Sequence, residues 1–93
     1  MVFARVNRFQ GPPERIDDAI RDVEDRVLPQ VKQMEGVRGF LLLVDRESGK
    51  SLGISLWESE EAASRLRTES ATRAGGELVS VERYEVAVDV PVG

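Results

Sequence analysis

The sequence predicts an α+β domain with the ferredoxin-like order βαββαβ, in which one antiparallel sheet carries both helices on one face. Three observations lead there. Residues 2–9 and 50–57 alternate with a period of two, as half-buried strands do. Residues 16–34 carry an apolar stripe at three- and four-residue steps, as an amphipathic helix does. The strand-like and helix-like segments then follow one another as strand, helix, strand, strand, helix, strand. At 93 residues, the chain is expected to form a single domain over 1–93.

The first strand, 2–9, places Val2, Ala4 and Val6 on one side and Phe3, Arg5, Asn7 and Phe9 on the other. Gln10-Gly11-Pro12-Pro13 ends it, and the prolines suit the first turn of a helix. The helix stripe runs through Ile16, Ala19, Ile20, Val23, Val27, Val31 and Met34. Its polar face offers Asp17–Arg21 and Asp22–Arg26 as i,i+4 pairs, each worth about 0.3 kcal/mol. Pro29 is set to kink or break this helix, because its ring collides with the carbonyl of Asp25. Gly36 is a natural C-terminal stop.

The second strand, 37–46, is continuously apolar from Phe40 to Val44, and Glu47-Ser48-Gly49 reads as a hairpin turn. In the third strand, 50–57, Leu52, Ile54 and Leu56 oppose Ser51, Gly53, Ser55 and Trp57. Ser59 can cap a second helix over 60–74, with Glu60 and Glu61 against its positive end and Glu61–Arg65 and Glu69–Arg73 as further pairs. Gly75-Gly76 ends it. A last strand is expected at 78–88, stopped by Pro91. Alternation does not assign Tyr84 to a face.

Composition removes several chemistries. With no cysteine and no histidine, the chain has no disulfide framework, no Ser-His-Asp or Cys-His catalysis and no His- or Cys-based metal site. Acidic clusters on the first helix lie beside Arg21 and Arg26 and read as a solvated face, so no metal site is expected. A net charge of −4 disfavours a nucleic-acid partner. No apolar run approaches the roughly 20 residues of a membrane span, and no secretory signal is visible, which points to the cytoplasm.

Two helices cover one side of a sheet. Val2, Ala4, Val6, Leu52, Ile54 and Leu56 form the more apolar set and are assigned to the helices. The second strand is nevertheless apolar on both sides, and Phe3 and Phe9 add to the other face. A sheet apolar on both faces calls for burial on both. The economical solution is a homodimer whose sheets meet face to face as a dimeric α/β-barrel, leaving a chamber between the layers.

The first strand with Asn7, the helix reaching Leu28-Pro29, the phrase Glu35-Gly36-Val37-Arg38-Gly39-Phe40, the hairpin 45–50, and Ile54-Ser55-Leu56-Trp57-Glu58-Ser59-Glu60-Glu61-Ala62 resemble the antibiotic biosynthesis monooxygenase family. The resemblance implies a dimeric α+β barrel. It implies a cofactor-independent oxygenase acting on a small aromatic or polyketide-like substrate, with Asn7 and Trp57 as catalytic residues of the pocket. Haem-degrading members use a histidine after the third strand; residues 64–70 here contain none, which disfavours that activity.

On this reading Phe3, Arg5, Phe9 and Ser55 bind the substrate beside Asn7 and Trp57, on the side away from the helices. A mixture of aromatic walls, small residues and a few polar anchors suits a flat, partly polar ligand. The same residues have plainer uses. Phe3, Phe9 and Trp57 can pack a dimer interface with Arg5 paired to a carboxylate, and Asn7 can satisfy a backbone group. The corresponding alternative function is a non-catalytic barrel, a small-molecule binder or interaction module.

Overall fold

The structure, a computed structural model, describes residues 1–66 and 76–92. The elements follow the expected order: β1 (Phe3–Gln10), α1 (Ile16–Asp22), α2 (Leu28–Lys32), β2 (Val37–Val44), β3 (Lys50–Trp57), α3 (Glu60–Ser64) and β4 (Glu77–Glu85). The four strands form one antiparallel sheet in the order β2-β3-β1-β4. This is the α+β ferredoxin-like arrangement. No helix among the described residues is long and apolar enough to cross a membrane.

The first helix is continuous but composite. A 3-10 turn at Pro13–Arg15 leads into α1, and a π turn at Val23–Val27 joins α1 to α2. The π turn is how the chain accommodates Pro29. The Leu28 N–H donates to the carbonyl of Val23, five residues back, and this widening relieves the collision that the proline ring would have with the Asp25 carbonyl. Gly36 follows with φ 88°. A Cβ there would also lie 2.8 Å from Ala62 Cβ, so the left-handed stop and the docking of α3 both require glycine.

The β2–β3 turn is held by Asp45, whose carboxylate accepts from the Glu47 N–H at 3.0 Å and the Ser48 hydroxyl at 2.9 Å. These bonds hold the Asp45 carboxyl below its ordinary value. Gly49, at φ 81°, closes against the Gly11 carbonyl and leaves no room for a Cβ. Ser59 caps α3 as expected, its hydroxyl accepting from the Ala62 N–H at 3.1 Å. The remainder of the expected second helix, residues 67–74, and the pair Glu69–Arg73 lie outside the described residues. β4 stops at Glu85, short of the expected 88, although the Val86 N–H still donates to the Val2 carbonyl.

Two helix ion pairs form as read from spacing: Arg26 grips Asp22 through two bonds of 3.0 and 2.6 Å, and Arg65 donates to Glu61 at 3.0 Å. Asp17–Arg21 does not form. Arg21 leans on Asp18, and Asp17 pairs with Arg46 at the hairpin, 3.0 Å away. A contact between elements has replaced a local one.

The main correction concerns the faces of the sheet. Cross-strand partners share a face. One face carries Phe3 with Trp57, Arg5 with Ser55, Asn7 with Gly53 and Phe9 with Ser51; the other carries Ala4 with Leu56, Val6 with Ile54 and Arg8 with Leu52. The helices cover the first set. Trp57 is fully buried against Val27, Val31, Ala62 and Ala63, and Arg5, Asn7 and Ser55 are buried with it. The aliphatic set assigned to the helices from sequence instead faces away from them, joined by Leu41, Leu43 and Tyr84, which are about half exposed. The physical reason lies in what the helices enclose. They stand over a cavity, so their side of the sheet needs aromatic walls and polar anchors rather than a close-packed aliphatic layer.

Candidate active site

The cavity has a volume of about 70 Å3 and lies between the first helix and the sheet. At roughly 10–15 Å3 per water position, it has room for several waters or one small ring. The sequence placed the ligand space between two sheets; this cavity instead lies within one chain, under its first helix. Ile16, Ala19, Val23 and Val27 form the helix wall, and Phe9, Phe40, Leu42 and Val44 the sheet wall. Gly53 sits between Phe9 and Phe40, and its missing side chain leaves the space open. Leu66, just past α3, completes one side.

The polar groups divide into two kinds. Arg15, Asp22 and Gln30 line the helix side, with Arg15 bound to Asp18 and Asp22 to Arg26. Asn7, Ser51 and Ser55 come from the sheet, and of these Asn7 and Ser55 are almost wholly buried. The Asn7 Oδ1 accepts from Arg5 Nε at 3.4 Å, and the Ser55 hydroxyl oxygen accepts from the Trp57 indole N–H at 2.8 Å.

Of the six residues singled out from sequence, Asn7, Phe9 and Ser55 line the cavity. Phe3, Arg5 and Trp57 do not, although all six lie on the helix-covered face. Trp57 is a core anchor one layer behind the wall. Arg5 has no carboxylate partner among the described residues. Its Nη1 donates to the carbonyls of Ala63 (3.2 Å) and Leu66, at the C-terminal end of α3, where unsatisfied carbonyls and the helix dipole favour a cation. Burial, helped by Arg83 opposite on β4, pulls the guanidinium below its ordinary value. Spacing could not reveal this cap, because the partners stand 58 and 61 residues away. The sequence reading also missed Phe40 and Leu42 as wall residues; their place in a doubly apolar strand was the available signal.

Tyr84 falls on the open face, where its hydroxyl donates to Glu82. Arg8 Nε (2.6 Å) and the Ser80 hydroxyl (3.0 Å) donate to the same carboxylate. Together the three donors hold the Glu82 carboxyl down at about 2, and the Glu82 carboxylate in turn pushes the Tyr84 phenol up. Among the described residues, no three acidic side chains gather as a metal site.

The family model for antibiotic biosynthesis monooxygenases matches residues 2–75. The chain belongs to this family. It is 40% identical over 94 residues to the uncharacterised protein Rv2557 of Mycobacterium tuberculosis, covering 94% of this chain and 42% of that protein. The chain therefore spans less than half the length of that relative. Among solved structures, the heme-degrading protein Rv3592 of Mycobacterium tuberculosis superposes with a TM-score of 0.74 at 24% identity, covering 98% of this chain and 100% of that one. SnoaB, a cofactor-independent oxygenase from Streptomyces nogalater, superposes with a TM-score of 0.70 at 19% identity, covering 98% of each chain. These two likenesses establish the shared fold.

A haem group does not fit the donors present. The chain has no histidine or cysteine, and the described cavity lining offers no phenolate or thioether to bind iron.

Proposed function

We propose that this chain is a cofactor-independent monooxygenase that holds a small aromatic or polyketide-like molecule in its cavity. The observation that carries the reading is a mainly apolar cavity into which one buried strand amide, Asn7, is presented. In such chemistry an activated CH2 beside a ketone loses a proton, and the resulting carbanion adds dioxygen. The hydroperoxide then loses water to leave a second ketone, so that one CH2 and one O2 become one C=O and one H2O. The negative charge gathers on the substrate's ketone oxygen, where an amide donor in an apolar enclosure stabilises it. Family membership supports the reaction class.

Oxygen uptake with 1,3-cyclohexanedione, a one-ring molecule with an activated CH2 between two ketones, tests this directly. Uptake faster than in buffer, yielding the triketone and water, is expected, and Asn7→Ala is expected to lower kcat/KM by about 100-fold. Uptake no faster than in buffer would sink the oxygenase reading.

A second reading, a non-catalytic binder, is favoured by one specific feature. The carboxylate in the described lining, Asp22, is held by Arg26, which leaves no evident base for the first proton transfer. Saturable binding of 1,3-cyclohexanedione without uptake selects this reading.

We also propose that two copies associate through their open sheet faces. Leu41, Leu43 and Tyr84 are about half exposed there, contiguous with Leu52, Ile54 and Leu56. Such an apolar patch is better matched by a self-complementary partner than by water.

A further inference from the structure

Three sheet-borne polar groups, Asn7, Ser51 and Ser55, line the cavity; the two that are almost wholly buried, Asn7 and Ser55, are already committed on one side, and each commitment has the same consequence. A guanidinium can only donate, so Arg5 Nε requires the Asn7 oxygen and turns the Asn7 NH2 group toward the cavity. Arg5 is not free to turn away, since its other arm is tied to the carbonyls of Ala63 and Leu66. An indole N–H can also only donate. Trp57, with no exposed surface, uses the Ser55 oxygen as its acceptor and leaves the hydroxyl proton for a ligand. Gly53 pairs with Asn7 across the strands and Ser55 lies two residues on, so the two donors are diagonal neighbours on one face.

We propose that Arg5 and Trp57 are positioning residues that polarise the cavity, fixing Asn7 and Ser55 as donors, so that the ligand taken is a flat apolar molecule whose polar edge carries acceptor oxygens (ketone, quinone or phenolate). A ligand that presents N–H there leaves donors facing donors in an apolar enclosure, and sites of this kind reject such analogues strongly. The proposal rests on the reading of the cavity as a ligand site, but not on turnover.

The test is equilibrium binding of two size-matched probes, 1-indanone (acceptor only) and indole (donor only), followed through the side-chain amide NMR signals of Asn7. The native protein is expected to prefer 1-indanone by about tenfold, with the Asn7 NH2 signals shifting on binding. Asn7→Asp, isosteric but acceptor only, is expected to reverse the preference. Trp57→Phe keeps the ring in the core while freeing the Ser55 hydroxyl, and it is expected to narrow the preference without unfolding the chain, which a purely structural tryptophan would not do. The proposal is overturned if indole binds as tightly as 1-indanone, if 1-indanone leaves the Asn7 amide unshifted, or if Asn7→Asp keeps the native preference. Oxygen uptake plays no part in these readouts, so the oxygenase reading can fail while the polarity assignment stands, and the reverse.

Discussion

The helix-covered face of the sheet carries Arg5, Asn7, Ser55 and Trp57, all buried, while the open face carries Leu41 and Leu43 at 54% and 46% exposure beside half-buried Leu52, Ile54 and Leu56. Polarity and burial are thus reversed from the simple expectation. The covered face tolerates polar groups because each has a partner or a cavity to meet. Arg5 meets backbone carbonyls, Ser55 meets the indole, and Asn7 meets Arg5 on one side and the cavity on the other. On the open face, the polar groups Arg8, Ser80, Glu82 and Tyr84 satisfy one another, and Gln10 at the sheet's end donates to backbone carbonyls. The difference teaches that an apolar face will be covered, but its apolar residues do not say by what.

The largest expected effect breaks the covered face. Trp57→Ala removes its central filler and leaves Ser55 without its donor, and a loss of about 3–5 kcal/mol is expected in urea unfolding. A loss below about 1 kcal/mol would show that the tryptophan is not the anchor described. The paired change Leu41→Glu with Leu43→Glu strikes the open face instead. It should leave the monomer folded yet weaken self-association by at least about 100-fold in sedimentation equilibrium, because four carboxylates would then meet in one apolar layer. A native chain that is already monomeric at tens of micromolar contradicts the face-to-face pairing.

The smallest effect lies within the open face's polar cluster. Glu82 is held at about 2, below the ordinary 4.5, first by the Tyr84 hydroxyl and then by Arg8. A depressed carboxyl binds fewer protons in the folded chain than in the unfolded one. Its contribution is therefore complete above pH 4.5 and is lost as pH falls through about 2. Tyr84→Phe removes the leading cause, so the Glu82 carboxyl titration followed by carbon NMR should move upward toward 4.5. An unmoved midpoint would contradict the bond.

What could be read from the sequence was mostly local. The element order, the stop at Gly36, the hairpin turn ending in Gly49, the Ser59 cap and the Asp22–Arg26 pair all depend on residues within a few positions of one another. Pro29 was legible as a disturbance, although its resolution into a π turn depends on the Leu28–Val23 bond that only the folded helix makes. Alternation sorted the strand residues into two correct sets, since Asn7, Ser55 and Trp57 do share a face. It could not say which set the helices would cover, and the aliphatic set was the wrong guide because the covered side holds a cavity. The Arg5 cap on α3 and the Asp17–Arg46 pair were illegible for a related reason, as each joins elements far apart in the chain.

The division of labour between the two faces is tested most directly by mapping NMR shift changes on titration with phenol, a single small ring. The account predicts changes confined to the covered face and its helix wall, at Asn7, Phe9, Ser55 and Val23, with Leu41, Leu43 and Tyr84 unmoved. Changes centred on Leu41, Leu43 and Tyr84, with Asn7 and Ser55 silent, would contradict it.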